Sequence, residues 1–240
     1  MNDLHTHIDQ YLFYCEHQKM LNDKTLHAYR IDLAQFEDYI RKDRIDEVDS
    51  TLIEDYLVHL HQTYQPKTVK RKIASIKAFF QYELENNEIG EDITGLLKAP
   101  KIEKKAPVIL SVEETEKLLN QPAGNTDKEI RDKAMLELLY ATGIRVTELI
   151  TMKLGDVDLD NDMVSVKNGG GRQREIPFGK VADRALKNYI GDVRDRMIGD
   201  AGQDTLFINC SGGPMSRQGF WKILKYYTRK AGIDADITPH

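Results

Sequence analysis

Four stretches within the first 90 residues carry apolar side chains three and four positions apart, and that spacing narrows the possible architectures more than any other feature. Leu4, Ile8, Tyr11, Leu12 and Cys15 keep it; so do Leu26, Tyr29, Leu33, Phe36, Tyr39 and Ile40. The same holds for Leu52, Ile53, Tyr56, Leu57 and Leu60, and for Val69, Ile73, Ile76, Phe79, Phe80 and Leu84. At 3.6 residues per turn each set forms one apolar stripe, and stripes of this width are buried by packing against one another. The spacing predicts a small helical bundle, with Tyr29 inside it and Asn86-Asn87-Glu88-Ile89-Gly90 closing the last helix.

Beyond the bundle the pattern breaks. Residues 98–108, with Pro100, Pro107 and several lysines, read as a semi-extended linker between a first domain at 1–97 and a second at 109–240. Ser111 with Glu114 three residues on marks a capped helix start. Ala134, Leu136, Leu138, Leu139 and Tyr140 read as a buried helix that Thr142-Gly143 ends with a left-handed cap, and Val146 to Met152 restarts one. Met163 to Lys167 alternates as a strand, Asn168-Gly169-Gly170-Gly171 is a turn, and Arg172 to Pro177 is the return strand. The chain is therefore expected to be mainly α with a small antiparallel β-hairpin. The run Asp156 to Asp162 reads as an acidic turn; its helix context and glutamate spacing are wrong for a calcium loop, and no metal site is expected.

Composition bounds function loosely. With 240 residues, 40% hydrophobic and 30% charged, the chain suits a soluble two-domain protein. It has no run of roughly 20 apolar residues and no signal-like start, so a cytoplasmic location without membrane association is expected. Cys15 and Cys210 lack ligand spacing and read as thiols in or near a core. A net charge of −5 argues mildly against nucleic-acid binding through the overall field. The distribution argues the other way: Lys67, Lys70, Arg71, Lys72 and Lys77 lie in one acid-free helix, and Arg217, Lys222, Lys225, Arg229 and Lys230 in another. Within Ala141-Thr142-Gly143-Ile144-Arg145-Val146-Thr147-Glu148-Leu149, an arginine just past a helix-ending glycine in an apolar setting calls for an anionic partner. A phosphate at the junction and an Arg145–Glu148 pair are both open.

That stretch resembles the first-arginine motif of the tyrosine recombinase family, the phage-integrase and Xer-like enzymes. The likeness extends over the chain: Thr25-Leu26-His27-Ala28-Tyr29-Arg30, Leu33-Ala34-Gln35-Phe36, Pro100-Lys101, Leu206-Phe207, Arg217-Gln218-Gly219-Phe220-Trp221-Lys222 and Ile237-Thr238-Pro239-His240. It implies an N-terminal SAM-like bundle and a catalytic domain, here incomplete at its C-terminus, that clamp duplex DNA. The activity it implies is site-specific cutting and rejoining through a phosphotyrosine, without cofactor, by a protein monomeric in solution and, when full length, tetrameric on its sites; the truncated chain itself is expected to be inactive.

The resemblance also assigns roles. Arg145 stabilises the phosphate charge, and His240 stands where the family has its first histidine; the second arginine and the tyrosine nucleophile would lie beyond the last residue. The family's hairpin lysine, the acid for the leaving 5′-oxygen, falls at Gly169, so Lys167, two residues earlier on the same strand face, is the substitute candidate, with Arg172 the other nearby cation. DNA contacts are expected from Thr25, Arg30, Lys67, Thr68, Lys70, Arg71, Lys72, Lys77, Arg172, Arg174, Arg217 and Lys222. Two other readings stand beside the recombinase: a non-catalytic DNA-binding regulator, which Gly169 and the chain's end favour, and a type IB topoisomerase-like enzyme.

Overall fold

A computed structural model describes residues 3–102, 108–167, 171, 173–199, 202, 204–235 and 237–238. The chain divides into two compact units, Met1–Lys105 and Ala106–His240.

The first unit contains α1 (Leu4–His17), α2 (Asp23–Ile40), α3 (Ser50–Thr63) and α4 (Pro66–Glu85). Asp3, Asn22 and Asp49 each accept the backbone N–H three residues on, and Pro66 opens α4 where its missing N–H costs nothing. The four stripes meet as expected, with Leu4, Leu33, Phe36, Leu60, Ile76 and Phe79 at the centre. Tyr29 packs against this core, but Tyr39 is 37% exposed and stacks on His59.

Two polar groupings interrupt the apolar core. His7 and Glu83 meet at 2.7 Å between α1 and α4. Asp32, with no exposed surface, receives the side chains of Arg71, Lys72 (3.1 Å) and Ser75 (2.8 Å). The second grouping corrects the expected role of Lys72: the side chain lies in the interior, bonded also to Gln35 and lying over the Tyr64 ring, so it does not reach a ligand outside. Position 72 falls on the side of α4 that packs on α2, where a lysine is tolerated because its stem is apolar and Asp32 neutralises its head.

The second unit begins with α5 (Val112–Leu119), whose Ser111–Glu114 box forms as predicted. Next come α6 (Asp127–Thr142) and α7 (Val146–Thr151), then strands β1 (Val157–Asp158), β2 (Met163–Lys167) and β3 (Gln173–Pro177) in the antiparallel order β1-β2-β3. The first of these was expected to be only turn; its two residues pair with Val164 and Met163. Helices α8 (Lys180–Asn188) and α9 (Arg194–Ile198) are joined by a π-helical turn, and α10 (Arg217–Lys230) follows a buried segment around Leu206, Phe207 and Ile208. Ala134, Leu138, Leu149, Val164, Leu186 and Phe220 form the core. Tyr140, expected inside, is 63% exposed, because α6 turns that side away from the core; Cys210 is likewise exposed rather than buried. Arg131 and Asp132 are buried side by side: Arg131 donates to the Ile208 carbonyl (3.0 Å), and Asp132 accepts from the Tyr227 hydroxyl (3.1 Å). Among the described residues, no helix is long and apolar enough to cross a membrane, and no His/Cys/Asp/Glu grouping could hold a metal.

Candidate active site

The α6–α7 junction sets Arg145. Gly143 adopts the left-handed conformation (φ 61°) and returns its N–H to the Leu139 carbonyl at 2.9 Å, which stops α6. Ile144 and Val146 are then buried on either side, and the extended backbone at residue 145 turns its side chain outward. The neighbours are apolar as expected, but the guanidinium itself is at the surface, its side chain 67% exposed.

Glu148 organises what surrounds it. Its carboxylate is 7% exposed and accepts the Arg145 backbone N–H at 2.7 Å, the Arg145 Nη1 at 3.3 Å, and both terminal nitrogens of Arg174 at 3.0 and 2.9 Å. Hydrogen bonds from Arg174, reinforced by Arg145, hold this carboxyl below the usual carboxylate range despite partial burial. The anticipated Arg145–Glu148 pair therefore exists as the longer contact, while the forked, shorter one goes to Arg174. Two arginines from distant parts of the chain, one past α6 and one in β3, are fixed on one carboxylate.

Lys167 ends β2 opposite Gln173, is exposed, and has no hydrogen-bond partner among the described residues. It lines a cavity of about 180 Å³ shared with Glu148, Thr151, Lys153, Asp156 and Ser165. Lys167 and Glu148, the carboxylate that holds both arginines, thus border one pocket. Gly169, Arg172 and His240 lie outside the described residues.

The Phage integrase family model matches residues 109–240 and the Phage integrase, N-terminal SAM-like domain matches 8–87. The chain belongs to the phage integrase family. It is 38% identical to a Tyrosine recombinase XerD of Staphylococcus epidermidis over 99% of this chain and 82% of the relative. It is 36% identical to one from Halalkalibacterium halodurans over 100% and 82%. Among solved structures, XerA recombinase is 25% identical with a TM-score of 0.50, covering 98% of this chain and 80% of that one. A lambda integrase tetramer bound to a Holliday junction shares the fold, with a TM-score of 0.73 at 17% identity, over 98% and 66%.

The residues singled out for DNA are distributed over both units of this integrase-family chain. On α4, Lys67, Lys70, Arg71 and Ala74 form one exposed stripe, while Thr68 and Lys77 are half-buried at its margins. Arg71 is exposed but tied to Asp32. On α2, Arg30 is exposed and Thr25 is half-buried. In the second unit Arg217 and Lys222 are exposed on α10, and a groove of about 600 Å³ runs along that helix past Trp221, Lys225, Tyr226 and Arg229. Tyr227 packs inside and Tyr226 does not. Arg174, counted with the DNA set from sequence, directs its fork at Glu148. The organising role of Glu148 itself was missed; the available signal was a carboxylate three residues after Arg145 at a helix start, where it caps the backbone as well as pairing.

Proposed function

We propose that this chain acts in site-specific DNA recombination, in which duplex DNA is cut and rejoined through a phosphotyrosine intermediate without metal or nucleotide cofactor. In that reaction a tyrosine oxygen forms a bond to phosphorus, the bond from phosphorus to the 5′-oxygen breaks, and a proton is delivered to the departing oxygen. Arg145 answers the charge that develops on the non-bridging oxygens, because a guanidinium stays charged and grips two oxygens at once. Lys167 supplies the proton from the end of β2, and His240 assists at the phosphate. The observation that carries the reading is the Glu148 carboxylate holding Arg145 and Arg174 together beside the Lys167 pocket. One acid against two arginines leaves a net positive, pre-aligned surface, which is what a phosphodiester requires.

The relatives' names and the DNA complexes among the structural neighbours support duplex DNA as the partner. In this reading residues 1–97 form the DNA-clamping bundle, 98–108 the linker and 109–240 the catalytic domain. The protein is monomeric free in the cytoplasm and tetrameric on its sites. Lys67, Lys70, Arg30, Arg217 and Lys222 contact the backbone and bases.

The test is a nicked duplex whose cleaved fragment diffuses away, offered to the product of the full open reading frame. A covalent protein–DNA adduct should accumulate, and the Arg145→Ala variant should form it about 100- to 1000-fold more slowly. Normal adduct formation by Arg145→Ala would overturn the assignment. DNA binding with no adduct from either protein would favour the regulator reading.

A further inference from the structure

Asp32 has no exposed surface, yet three donors converge on it from α4, and one of them belongs to a residue that reaches the outside. Lys72 and Ser75 are interior, whereas the Arg71 side chain is 43% exposed and lies in the stripe formed with Lys67 and Lys70. Arg71 reaches inward through Nη1, which contacts Asp32 and, at 3.4 Å, the Ala28 carbonyl of α2. Its Nε and Nη2 have no partner among the described residues. The guanidinium is thus gripped on one edge by a buried acid and leaves its other edge toward solvent, beside two exposed lysines.

We infer that Asp32 is a positioning residue for DNA binding: it fixes Arg71 so that the open edge of its guanidinium meets a backbone phosphate. This rests on the proposed DNA-binding role of the α4 stripe and deepens it. A free surface arginine gives up its rotamer freedom when it binds, and one already held by a buried partner gives up less. Lys72 completes the device. By neutralising Asp32 from the interior side, it keeps the buried acid from cancelling the charge that Arg71 offers outside.

Simple electrostatics and positioning predict opposite signs, which makes the idea testable on the chain as it stands. Affinity for a short duplex is measured by fluorescence anisotropy across a salt series, with circular dichroism melts reporting folding. Asp32→Asn removes a negative charge, so a purely Coulombic surface would bind DNA more tightly. Positioning predicts binding roughly fivefold weaker, about the net effect of one ordinary hydrogen bond. The salt slope should also be reduced by up to about 0.9. Because Asp32→Asn strands a buried lysine, Asp32→Asn with Lys72→Met is made beside it; this pair leaves the net charge unchanged and should show the same loss. Arg71→Lys keeps the charge but cannot grip Asp32 and a phosphate together, and should bind like Arg71→Ala. Equal or tighter binding by the double variant, or wild-type binding by Arg71→Lys, would overturn the inference while leaving DNA binding intact. No binding by the wild-type chain at low salt would instead remove the functional reading on which it rests.

Discussion

Replacing Glu148 with glutamine tests the centre of the site through stability. The amide keeps the shape but loses the charge and one acceptor, and its NH₂ now faces guanidinium groups that offer only donors. Four contacts depend on the carboxylate, three of them at 3.0 Å or less. Breaking a fully buried pair costs about 3–5 kcal/mol. Here the Arg174 side chain is 40% exposed and water can solvate it once released, which brings the expected loss to about 1.5–3 kcal/mol, the range of hydrogen bonds to charged groups. For a unit of this size that lowers Tm by roughly 4–10 °C. Differential scanning calorimetry of wild type and Glu148→Gln at pH 7 reads the difference directly. The pH dependence has a definite sign. The folded carboxyl titrates below its ordinary value, so its stabilisation is complete above about pH 4.3 and fades as pH falls through the lowered folded value. The two proteins should therefore converge on acidification below about pH 4. Equal Tm values at pH 7, or a gap that persists in acid, would refute the account of Glu148 as a charged clamp.

Lys70→Ala should reduce the DNA salt slope by about one unit with little change in Tm, whereas Lys72→Ala should lower Tm strongly by stranding Asp32, and salt titrations with melts separate the two. Gly143→Ala has open space around the new methyl but a φ of +61°, so urea unfolding should show a loss of about 1–2 kcal/mol from backbone strain alone. Within the pair buried between α1 and α4, Glu83→Met alone should cost about 1–3 kcal/mol by leaving His7 unpartnered. His7→Leu with Glu83→Met should recover most of that loss in the same denaturation assay. Tyr227→Phe should cost about 1–3 kcal/mol by removing a hydroxyl from the buried Asp132, readable in the same way.

The four bundle helices and those around Arg145 were legible in the sequence because their stripes are regular and some of their ends explicit, Ser111 with Glu114 and Gly143 after Thr142; α8 and α9 were not read from it. The Arg145 junction was legible for the same reason, a glycine obliged to adopt a left-handed conformation beside buried Ile144 and Val146. What escaped depends on neighbours distant along the chain. Lys72 reads like Lys70 in a list of charges, and only the docking of α2 brings Asp32, 40 positions away, to bury it. Glu148 reads as a local partner of Arg145, and only the hairpin brings Arg174 across 26 positions to take its better contacts. Tyr39 and Tyr140 sit at the margins of their stripes, where periodicity alone does not fix which way a ring turns.

Arg131 and Asp132 have a consequence for the order in which the protein assembles. This adjacent pair in α6 joins the Ile208 carbonyl, 77 positions on, and the Tyr227 hydroxyl, 95 positions on. During synthesis the two can pair with each other at once, but the distant partners of Arg131 Nη1 and of the second Asp132 oxygen emerge much later, the last of them with Tyr227. Among the described residues of the first unit, the longest side-chain hydrogen bond spans 76 positions, between His7 and Glu83. At about 5–20 residues per second the first unit has several seconds to complete itself before the second can begin to lock. The nascent chain therefore acquires its bundle first and the core around Arg131 and Asp132 last.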